Sequence, residues 1–345
     1  MKDLWNYLKE TEKPIVLYGT GNGADKIIDR MIEDGTWNKV KGVFASSGFV
    51  RDRYFRGIKV ETYEAVKNRL GDMIVLLCFG SSLPEVISNV EKIAGENELY
   101  APQVPVYGTG IFDSGYYNEH KEELERSRSI MADELSVRTF DNTVSYFLSG
   151  DISYLRDCEV DKTDEYKLTS LKENAVYLDL GAFTGDTASD YSEVFPSISR
   201  IIAVEPDSRN YRRLCDNTKE ITGITCINAL ISDTCGITHI NQGKGRGVHE
   251  QDKGLDIICT TVDTILGSSG ADLIKFDVEG NELKALTGAI QTIRDFKPVL
   301  HIACYHRSSD LYEIPLFVNS IRDDYKIYMR HRKHLLNWDT QFICI

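Results

Sequence analysis

Two apolar runs in the chain each end in a glycine-rich turn that leads into an amphipathic helix. The first is "PIVLYGTGNGAD" at 14–25, and the second is "AVYLDLGAFTGDT" at 175–187. A buried parallel strand reads as a continuous apolar run, and glycine lets the backbone turn sharply into a following helix, so both stretches predict a strand–turn–helix unit. Open α/β sheets bind ligands at such turns. The pattern predicts α/β architecture and leaves open which turn holds a cofactor.

The block that opens at the first turn alternates strand-like runs with helical patterns. The predicted strands are 14–19, 39–46 and 73–80, and the predicted helices are 24–34 and 83–94. In the first helix one apolar face is predicted, made of Ile27, Ile28, Met31 and Ile32. Such alternation is typical of a parallel sheet with helices on both faces. We predict that residues 1–115 form a small Rossmann-like α/β domain.

Residues 116–172 differ in composition, because they are dense in charge and carry no strand signal. Apolar residues nevertheless recur there at helical spacing, which favours packed helices. They are Val137, Phe140, Val144, Phe147 and Leu148. We predict a helical connector over this stretch.

A second alternating block covers 173–345. Its predicted strands are 175–180, 200–205, 224–230, 271–277, 298–305, 325–330 and 340–345. Too few residues separate the last two strands for a crossover helix. They are therefore predicted to pair as an antiparallel hairpin at one edge of the sheet.

Composition excludes several classes of function. A chain of 345 residues predicts two domains, and a net charge of −13 argues against a general affinity for nucleic acid or an anionic membrane. No apolar run reaches the roughly 20 residues of a membrane span. The opening "MKDLWNYLKE" lacks the apolar core of a signal peptide, so a cytoplasmic location is expected. The 8 cysteines include no C-x-x-C pair and are expected to be buried, reduced thiols.

The second glycine turn carries an acid where its strand ends. Asp179 ends the strand, Gly181 turns the chain and Gly185 opens the helix. A dinucleotide site would instead use G-x-G-x-x-G to bring a diphosphate to the helix N-terminus, and the preceding acid would repel that phosphate. A ligand with an ammonium or sulfonium charge fits better, which favours S-adenosylmethionine as cofactor.

Polar residues at the ends of the next two strands extend this predicted site. Glu205 follows the second strand and is predicted to accept hydrogen bonds from ribose hydroxyls. Asn228 follows the third strand and is predicted to read the adenine amino edge, with Ala229 and Leu230 beside the ring. The alternatives are a surface acid at Glu205 and a turn-forming Asn228.

The stretch "ADLIKFDVEGNELKALTGA" predicts a buried strand followed by a helix. The two-residue period of a strand places Lys275 and Asp277 on one face, with Asp277 at the carboxyl end, facing the crevice. Glu279 and Glu282 open the helix, where acids can simply complement the helix dipole.

These stretches, together with "KPVLHIACYHRSSDLYEIPLF", resemble the FkbM family of S-adenosylmethionine-dependent methyltransferases. The resemblance covers roughly 130–345. It implies a class I methyltransferase fold, which is a doubly wound sheet of seven strands in the order 3-2-1-4-5-7-6 with an antiparallel strand 7. It also implies O-methyl transfer to a saccharide, a nucleotide-sugar or a small natural product.

The resemblance also implies site residues: Asp179, Gly181 and Gly185 as the cofactor turn, Glu205 as ribose ligand and Asp277 as an acid in the crevice. With their neighbours, the predicted cofactor-binding set is Asp179, Gly181, Ala182, Phe183, Thr184, Gly185, Glu205, Pro206, Asp207, Asn228, Ala229 and Asp277.

Transfer to a hydroxyl requires that its proton be removed. His306 follows the fifth strand and titrates near neutral pH, so it is the predicted base. Lys275 and Tyr305 are predicted to orient the acceptor, and the predicted catalytic residues are His306, Asp277 and Lys275. Many family members carry an acid on the fifth strand where this chain reads "HIACYH", which leaves the acceptor chemistry open.

Other features bear on metals and partners. No metal is predicted, although Asp277 with Glu279 or Asn281 would supply oxygen ligands. Two positive segments stand out, at 241–254 and at 330–334 ("RHRKH"). A basic rim on the cofactor side would indicate an acidic acceptor, and the alternative is a solvated charged turn.

The first glycine turn is close to a dinucleotide fingerprint. Its second strand, however, ends "GVFASSGF", without the acid that the ribose of NAD would need. Gly19, Gly21 and Gly23 are predicted either to bind a nucleotide or nucleotide-sugar or to form only a tight packing turn. The alternative function is therefore an NAD-dependent or nucleotide-sugar-binding protein that uses this turn.

Overall fold

The computed structural model describes residues 3–46, 53–108, 110–241, 249–250 and 254–345. The chain divides into two compact units, each drawn from separate stretches of sequence. The N-terminal unit comprises Met1–Lys121, Arg138–Glu159 and His331–Asp339, and the C-terminal unit comprises Glu122–Val137, Val160–Arg330 and Thr340–Ile345.

Six strands form the sheet of the N-terminal unit. They are β1 (Ile15–Tyr18), β2 (Val40–Phe44), β3 (Tyr54–Phe55), β4 (Ile58–Glu61), β5 (Ile74–Leu77) and β6 (Glu98–Tyr100), in the order β3-β4-β2-β1-β5-β6. Only β3 and β4 are an antiparallel pair among these neighbours. The three predicted strands are confirmed as β1, β2 and β5. Because β2 lies on one side of β1 and β5 on the other, the strand order reverses at β1 and opens a crevice at the carboxyl ends.

Helices cover this sheet. They are α1 (Leu4–Glu10), α2 (Asn22–Glu33), α3 (Tyr63–Leu70), α4 (Pro84–Glu96) and α5 (Ser114–Glu119), with a 3-10 turn at Trp37–Lys39. The apolar face of α2 buries Ala24, Ile27, Ile28 and Met31. Ile32, which was predicted on this face, is 53% exposed because it lies at the border of the stripe.

The predicted connector at 116–172 does not form a separate unit, since its residues are divided between the two units. Its helical character is confirmed by α6 (Lys121–Ser129), α7 (Glu134–Ser149), α8 (Ser153–Arg156) and α9 (Lys162–Leu168), and a short strand, β7 (Glu159–Val160), was not predicted. The stripe on α7 is buried at Phe140, Val144, Phe147 and Leu148. Burial of this apolar surface is favourable, so the segment joins a core instead of standing alone as a linker.

Eight strands form the main sheet of the C-terminal unit. Besides β7 they are β8 (Ala175–Leu180), β9 (Ile198–Val204), β10 (Ile224–Ile227), β15 (Leu273–Phe276), β16 (Val299–Ala303), β17 (Ile327–Arg332) and β18 (Thr340–Cys344). Their order is β10-β9-β8-β15-β16-β18-β17-β7. The predicted count of seven is wrong, because β7 adds an eighth strand at the edge and two residues carry no periodic signal.

The predicted antiparallel pairing of the last two strands is confirmed, but their predicted position at the edge of the sheet is wrong, because β7 lies beyond β17. Lys326 and Ile345 exchange backbone hydrogen bonds of 2.9 and 3.0 Å, and β18 is antiparallel to β16. The order of the strands reverses at β8, which lies between β9 and β15. Ligand-binding crevices in such sheets open at this point.

A second, four-stranded sheet was not predicted. It contains β11 (Leu230–Ile231), β12 (Gly236–Asn241), β13 (His249–Glu250) and β14 (Leu255–Thr260), in the order β11-β14-β12-β13. The predicted positive segment 241–254 lies largely outside the described residues. The remaining helices are α10 (Asp186–Val194), α11 (Ser208–Asn217), α12 (Val262–Leu266), α13 (Glu282–Thr287), α14 (Ile290–Phe296) and α15 (Asp310–Ile321). Over the part of the chain that is described, none of the helices is both long enough and apolar enough to cross a bilayer.

Candidate active site

A cavity of about 110 Å³ lies at the carboxyl ends of β8, β9, β15 and β16 in the C-terminal unit. Its lining residues are Gly181, Phe183, Asp186, Thr187, Val204, Glu205, Pro206, Ala229, Leu230, Ile231, Lys275, Asp277, Val278, Glu279 and Tyr305. Four of these carry carboxylates and one carries an ammonium group. The cavity is therefore suited to a ligand with positive charge.

The glycine turn between β8 and α10 brings two strand ends into contact. Gly181 has a φ of +78°, and a Cβ on it would lie 1.8 Å from the carbonyl oxygen of Asp277. Gly185 has a φ of +90°, and its Cβ would lie 2.4 Å from a methyl carbon of Thr218. Only glycine fits both positions, so the turn can pack directly against the end of β15.

Glu205 joins the glycine turn to the end of β9. It is 5% exposed, and its two carboxylate oxygens accept backbone hydrogen bonds from Phe183 (3.0 Å) and Asp207 (2.9 Å). Burial raises the pKa of Glu205 to about 7, and the backbone donors oppose this shift. Each carboxylate oxygen has a second lone pair, so Glu205 retains acceptor capacity toward the cavity.

Asp179 lies at the carboxyl end of β8, as predicted, but it does not face the cavity. It is 0% exposed, it is not a lining residue, and the ammonium nitrogen of Lys275 lies 3.5 Å from its Oδ1. Burial raises the pKa of Asp179, and the Lys275 charge acts against this shift. The predicted electrostatic role of Asp179 toward a ligand is therefore corrected. In the sheet, Asp179 on β8 pairs with Lys275 on β15. The negative charge of the cavity therefore comes from other acids.

Of the other predicted cofactor-binding residues, Phe183, Pro206 and Ala229 line the cavity beside Gly181, Glu205 and Asp277. The residues that do not line it are Ala182, Thr184, Gly185, Asp207 and Asn228. Asp207 caps α11 through the amides of Arg209 and Asn210. The amide nitrogen of Asn228 donates to the carbonyls of Glu205 (2.8 Å) and Pro206 (3.0 Å), which is the turn-forming alternative.

Five residues of the cavity were not singled out from sequence: Asp186, Thr187, Ile231, Val204 and Val278. Asp186 and Thr187 occupy the first turn of α10, and Ile231 belongs to β11. The run "GDT" directly after the glycine turn could have identified the first two, since the first turn of a helix at a strand's carboxyl end faces the crevice. Ile231 depends on the unpredicted small sheet and had no such signal.

The predicted catalytic residues Asp277 and Lys275 meet at the wall of the cavity. The Tyr305 hydroxyl donates to Asp277 Oδ1 (3.1 Å), and Lys275 Nζ lies 3.3 Å from Asp277 Oδ2. Burial would raise the pKa of Asp277, but Lys275 and His306 outweigh it and lower that pKa. Asp277 is thus an ionised acceptor at neutral pH.

His306 lies behind this wall and does not line the cavity. It is 1% exposed, with Nδ1 at 2.9 Å from Glu282 and Nε2 at 3.7 Å from Asp277 and 3.5 Å from Glu279. Burial favours the neutral ring, but these three carboxylates raise the pKa of His306 to about 10. His306 is therefore an imidazolium at neutral pH, and a base must be neutral to accept a proton.

Asp277, Glu282 and His306 together could also hold a metal ion. Each offers a ligand atom, and these atoms lie within 4.8 Å of one another. His301, in contrast, is buried in the core between Thr169 (2.8 Å) and Tyr191 (2.7 Å), as expected for a structural histidine.

Two residues of the basic segment 330–334 are buried. Arg330 is buried and pairs with Asp133 at 2.6 Å, and His331 is fully buried. Burial lowers the pKa of His331 to about 3, so this ring is uncharged. Lys333 of the same segment is exposed, so the indication of an acidic acceptor stays a prediction.

Comparison with known proteins bears on this site. Residues 179–327 match the family model described as the methyltransferase FkbM domain, a range that includes every lining residue of the cavity. No curated protein sequence matches the chain.

Solved structures give a second comparison. The methyltransferase FkbM from Methylobacillus flagellatus KT is 18% identical with a TM-score of 0.71, over 99% of this chain and 92% of that one. A fibrillarin from Aeropyrum pernix in complex with natively bound S-adenosyl-L-methionine is 17% identical with a TM-score of 0.34, over 50% and 67% of the two chains. The precorrin-6y C5,15-methyltransferase from Geobacter metallireducens GS-15 is 12% identical with a TM-score of 0.35, over 53% and 84%. The first of these shares the fold of the chain, and the match of residues 179–327 to the methyltransferase FkbM domain confirms the resemblance predicted from sequence.

Proposed function

We propose that the C-terminal unit is an S-adenosylmethionine-dependent O-methyltransferase that acts on a hydroxyl of a saccharide, a nucleotide-sugar or a small natural product. The charge of the cavity carries the proposal. Among the described residues, its lining cation is Lys275 and its lining acids are Asp186, Glu205, Asp277 and Glu279. A ligand with sulfonium and ammonium groups fits this excess of negative charge, and a diphosphate does not.

The residues present fit this cofactor. The turn at Gly181 and Phe183 leaves backbone close to the cavity, and Glu205 would accept ribose hydroxyls. Ala229, Leu230 and Ile231 supply an apolar wall for the adenine ring. When bound, the cofactor supplies an electrophilic methyl group on a positively charged sulfur.

We assign the removal of the acceptor proton to Asp277. It is the carboxylate on the cavity wall that is held from several directions, by Tyr305, Lys275 and His306. A carboxylate fixed in this way can accept a hydrogen bond from the acceptor hydroxyl and take its proton as the oxygen is methylated.

His306 then serves as a positioning residue and not as the base. Its imidazolium faces Asp277, Glu279 and Glu282 and balances part of their charge, so the carboxylates can stay ionised side by side. The sequence-based choice of His306 as base stays a prediction, and its burial and charge favour the positioning role.

The hydroxyl acceptor is expected to be uncharged. Asp277 and Glu279 line the cavity, and both repel an anion. A neutral saccharide or a neutral natural product fits this site better than an acidic one.

Calorimetry with S-adenosylmethionine and S-adenosylhomocysteine tests the cofactor assignment. The wild-type protein is expected to bind both, and Glu205→Ala is expected to bind about tenfold more weakly through loss of a charge-assisted hydrogen bond. Glu220→Ala, an exposed acid of the same unit, is the matched control. Equal binding by Glu205→Ala and the wild type would contradict the ribose assignment.

A panel of hydroxylated acceptors with methyl-labelled cofactor tests the reaction. Mass spectrometry is expected to show a methyl ether on a neutral saccharide or related metabolite. Label on nitrogen or carbon only, or tight cofactor binding without transfer to any acceptor of the panel, would count against O-methyl transfer.

A further inference from the structure

The N-terminal unit has a cavity of its own, which the proposed methyl transfer does not use. Its volume is about 190 Å³, and it lies at the carboxyl ends of β1, β5 and β6. This is the crevice where the strand order reverses, between β1 and β5. Open α/β sheets place their ligands at that point.

The first glycine turn forms one wall of this cavity and shows two distinct adaptations. A Cβ on Gly23 would lie 2.5 Å from the carbonyl oxygen of Cys78, so Gly23 permits close packing of α2 against the end of β5. A Cβ on Gly21 would meet nothing within 4 Å, so no close packing requires glycine there. Gly21 is the N-cap of α2, a helix of 12 residues, and makes no side-chain cap hydrogen bond. Gly21, Asn22 and Gly23 line the cavity, so the backbone N–H groups at the start of α2 are available to bind phosphate there.

A second, independent observation points to a ligand. Gln103 lines the cavity and is 4% exposed, and among the described residues its Oε1 is buried without a hydrogen-bond partner. A buried acceptor without a partner costs free energy, which a ligand N–H group would recover. Lys26 on α2 donates to the carbonyls of Pro105 and Val106, so the loop that carries Gln103 is tied to the helix.

The remainder of the lining is suited to a flat ring. Apolar side chains predominate, among them Ile27, Phe79 and Trp338. A cation contacts the turn, since the guanidinium of Arg53 donates to Thr20 Oγ1 at 2.5 Å. Asp25, in the first turn of α2, pairs with Arg56 at 2.8 Å, so its charge is balanced. The lining therefore suits a single ligand that carries an anionic group at the turn and a flat apolar ring beside Gln103.

We propose that this cavity binds a nucleoside diphosphate. Its diphosphate lies at the N-terminus of α2, and its base enters the cavity, where a base N–H donates to Gln103 Oε1. The group could come from a nucleoside diphosphate-sugar or from a dinucleotide. The end of β2 favours the sugar, because Ala45 and Ser46 follow it and neither offers the carboxylate that holds a dinucleotide ribose.

Calorimetry on the full chain with UDP, GDP and ADP tests the proposal, and UDP-glucose and NAD then distinguish the two sources. We expect at least one of the diphosphates to bind. We also expect UDP-glucose or another nucleoside diphosphate-sugar to bind, and NAD not to bind. Binding by Glu205→Ala is expected to equal that of the wild type, which separates this site from the C-terminal cavity. If none of the three diphosphates binds, the proposal is overturned, whatever the fate of the methyltransferase assignment.

Two variants locate the ligand. Gly21→Ala has open space for its methyl group and is expected to fold, yet the methyl blocks the backbone from the phosphate and weakens binding about tenfold or more. Gly95→Ala on α4 also has open space and is the matched control, with unchanged binding expected. Gln103→Leu is expected to weaken binding up to about tenfold. Binding by Gly21→Ala equal to that by Gly95→Ala would overturn the assignment of the diphosphate to this turn.

Discussion

The two glycine turns allow the same close backbone packing, but the side chains around them differ in charge. Each follows the strand at which its sheet reverses, and each meets a neighbouring strand end: Gly181 lies against the Asp277 carbonyl and Gly23 against the Cys78 carbonyl. The lining of the C-terminal cavity includes four acids and a lysine, whereas the described lining of the N-terminal cavity contains apolar and uncharged polar side chains. A glycine turn thus makes room for a ligand, and the side chains around it select the ligand's charge.

The largest expected effect is a loss of turnover that involves the C-terminal cavity and leaves the N-terminal cavity unaffected. Asp277→Asn is expected to lower turnover by about 10²- to 10⁴-fold, because the acceptor proton loses its carboxylate. Cofactor binding should change by only a few fold, and nucleotide binding by the N-terminal unit should not change. Single-turnover assays and calorimetry measure these effects, with the exposed Asp295→Asn as control. Turnover close to that of the wild type would remove Asp277 from the reaction.

Alanine substitution in each turn tests whether glycine is required for packing or for ligand access. Gly181→Ala is expected to cost about 3 kcal/mol of unfolding free energy, because its Cβ would overlap the Asp277 carbonyl at a positive φ. Gly21→Ala is expected to cost little, since its Cβ meets nothing. Urea denaturation of both variants measures the difference. Similar stability losses would show that the two turns are packed alike.

The buried charge cluster of the C-terminal unit predicts a pH dependence that the N-terminal cavity lacks. The pKa of His306 is raised from 6.5 to about 10, so its contribution to stability is complete below pH 6.5 and is lost as pH rises to about 10. Unfolding free energy should fall over this window, by up to about 1.4 kcal/mol per pH unit from this one group.

The variant His306→Gln isolates that contribution. Its unfolding free energy should fall less steeply between pH 6.5 and 10 than that of the wild type, and its cofactor dissociation constant should stay within a few fold. Urea denaturation at several pH values gives the two slopes. Identical slopes would mean that the carboxylates do not hold His306 in its charged form.

A smaller effect concerns Glu205. Its pKa is raised from 4.5 to about 7, so raising the pH from 6 to 8 ionises it and strengthens its hydrogen bonds to ribose. Affinity for S-adenosylhomocysteine should rise about threefold over this range. Calorimetry of Glu205→Gln should show a flat profile, and a slope like that of the wild type would assign the effect to another group.

The smallest expected effect is that of a chelator. Asp277, Glu282 and His306 lie close enough to hold a cation, but the proposed mechanism requires none. EDTA is therefore expected to leave turnover within about twofold of its initial value, after the protein has been dialysed against it. A loss of turnover that Mg²⁺ or Mn²⁺ restores would replace Asp277 as the base with a metal-bound acceptor.

Much of the fold follows from local sequence patterns. Continuous apolar runs predicted β1, β2 and β5 in the first sheet and seven strands of the main C-terminal sheet, because a buried strand is recognisable from its own residues. The seven are β8, β9, β10, β15, β16, β17 and β18. The short link between β17 and β18 was enough to predict an antiparallel pair. Two-residue strands such as β3 and β7 escaped prediction, since they have no period to detect.

The site was only partly accessible to such reasoning. Gly181, Glu205 and Asp277 were placed correctly on the cavity wall because each follows a strand at its carboxyl end. Asp179 meets the same criterion in the sequence, yet it is buried beside Lys275. Asn228 similarly turns its amide to backbone carbonyls.

Local periodicity and the steric demands of glycine therefore determine the strands, the two turns and the positions along the chain where polar residues follow strands. Tertiary packing decides which acids face the cavity, why His306 is charged and buried, and why 331–339 belongs to the N-terminal unit. The physical reason is range. A strand or turn is stabilised by residues near it in sequence, whereas the charge of a side chain depends on burial and on partners that only the folded chain brings together.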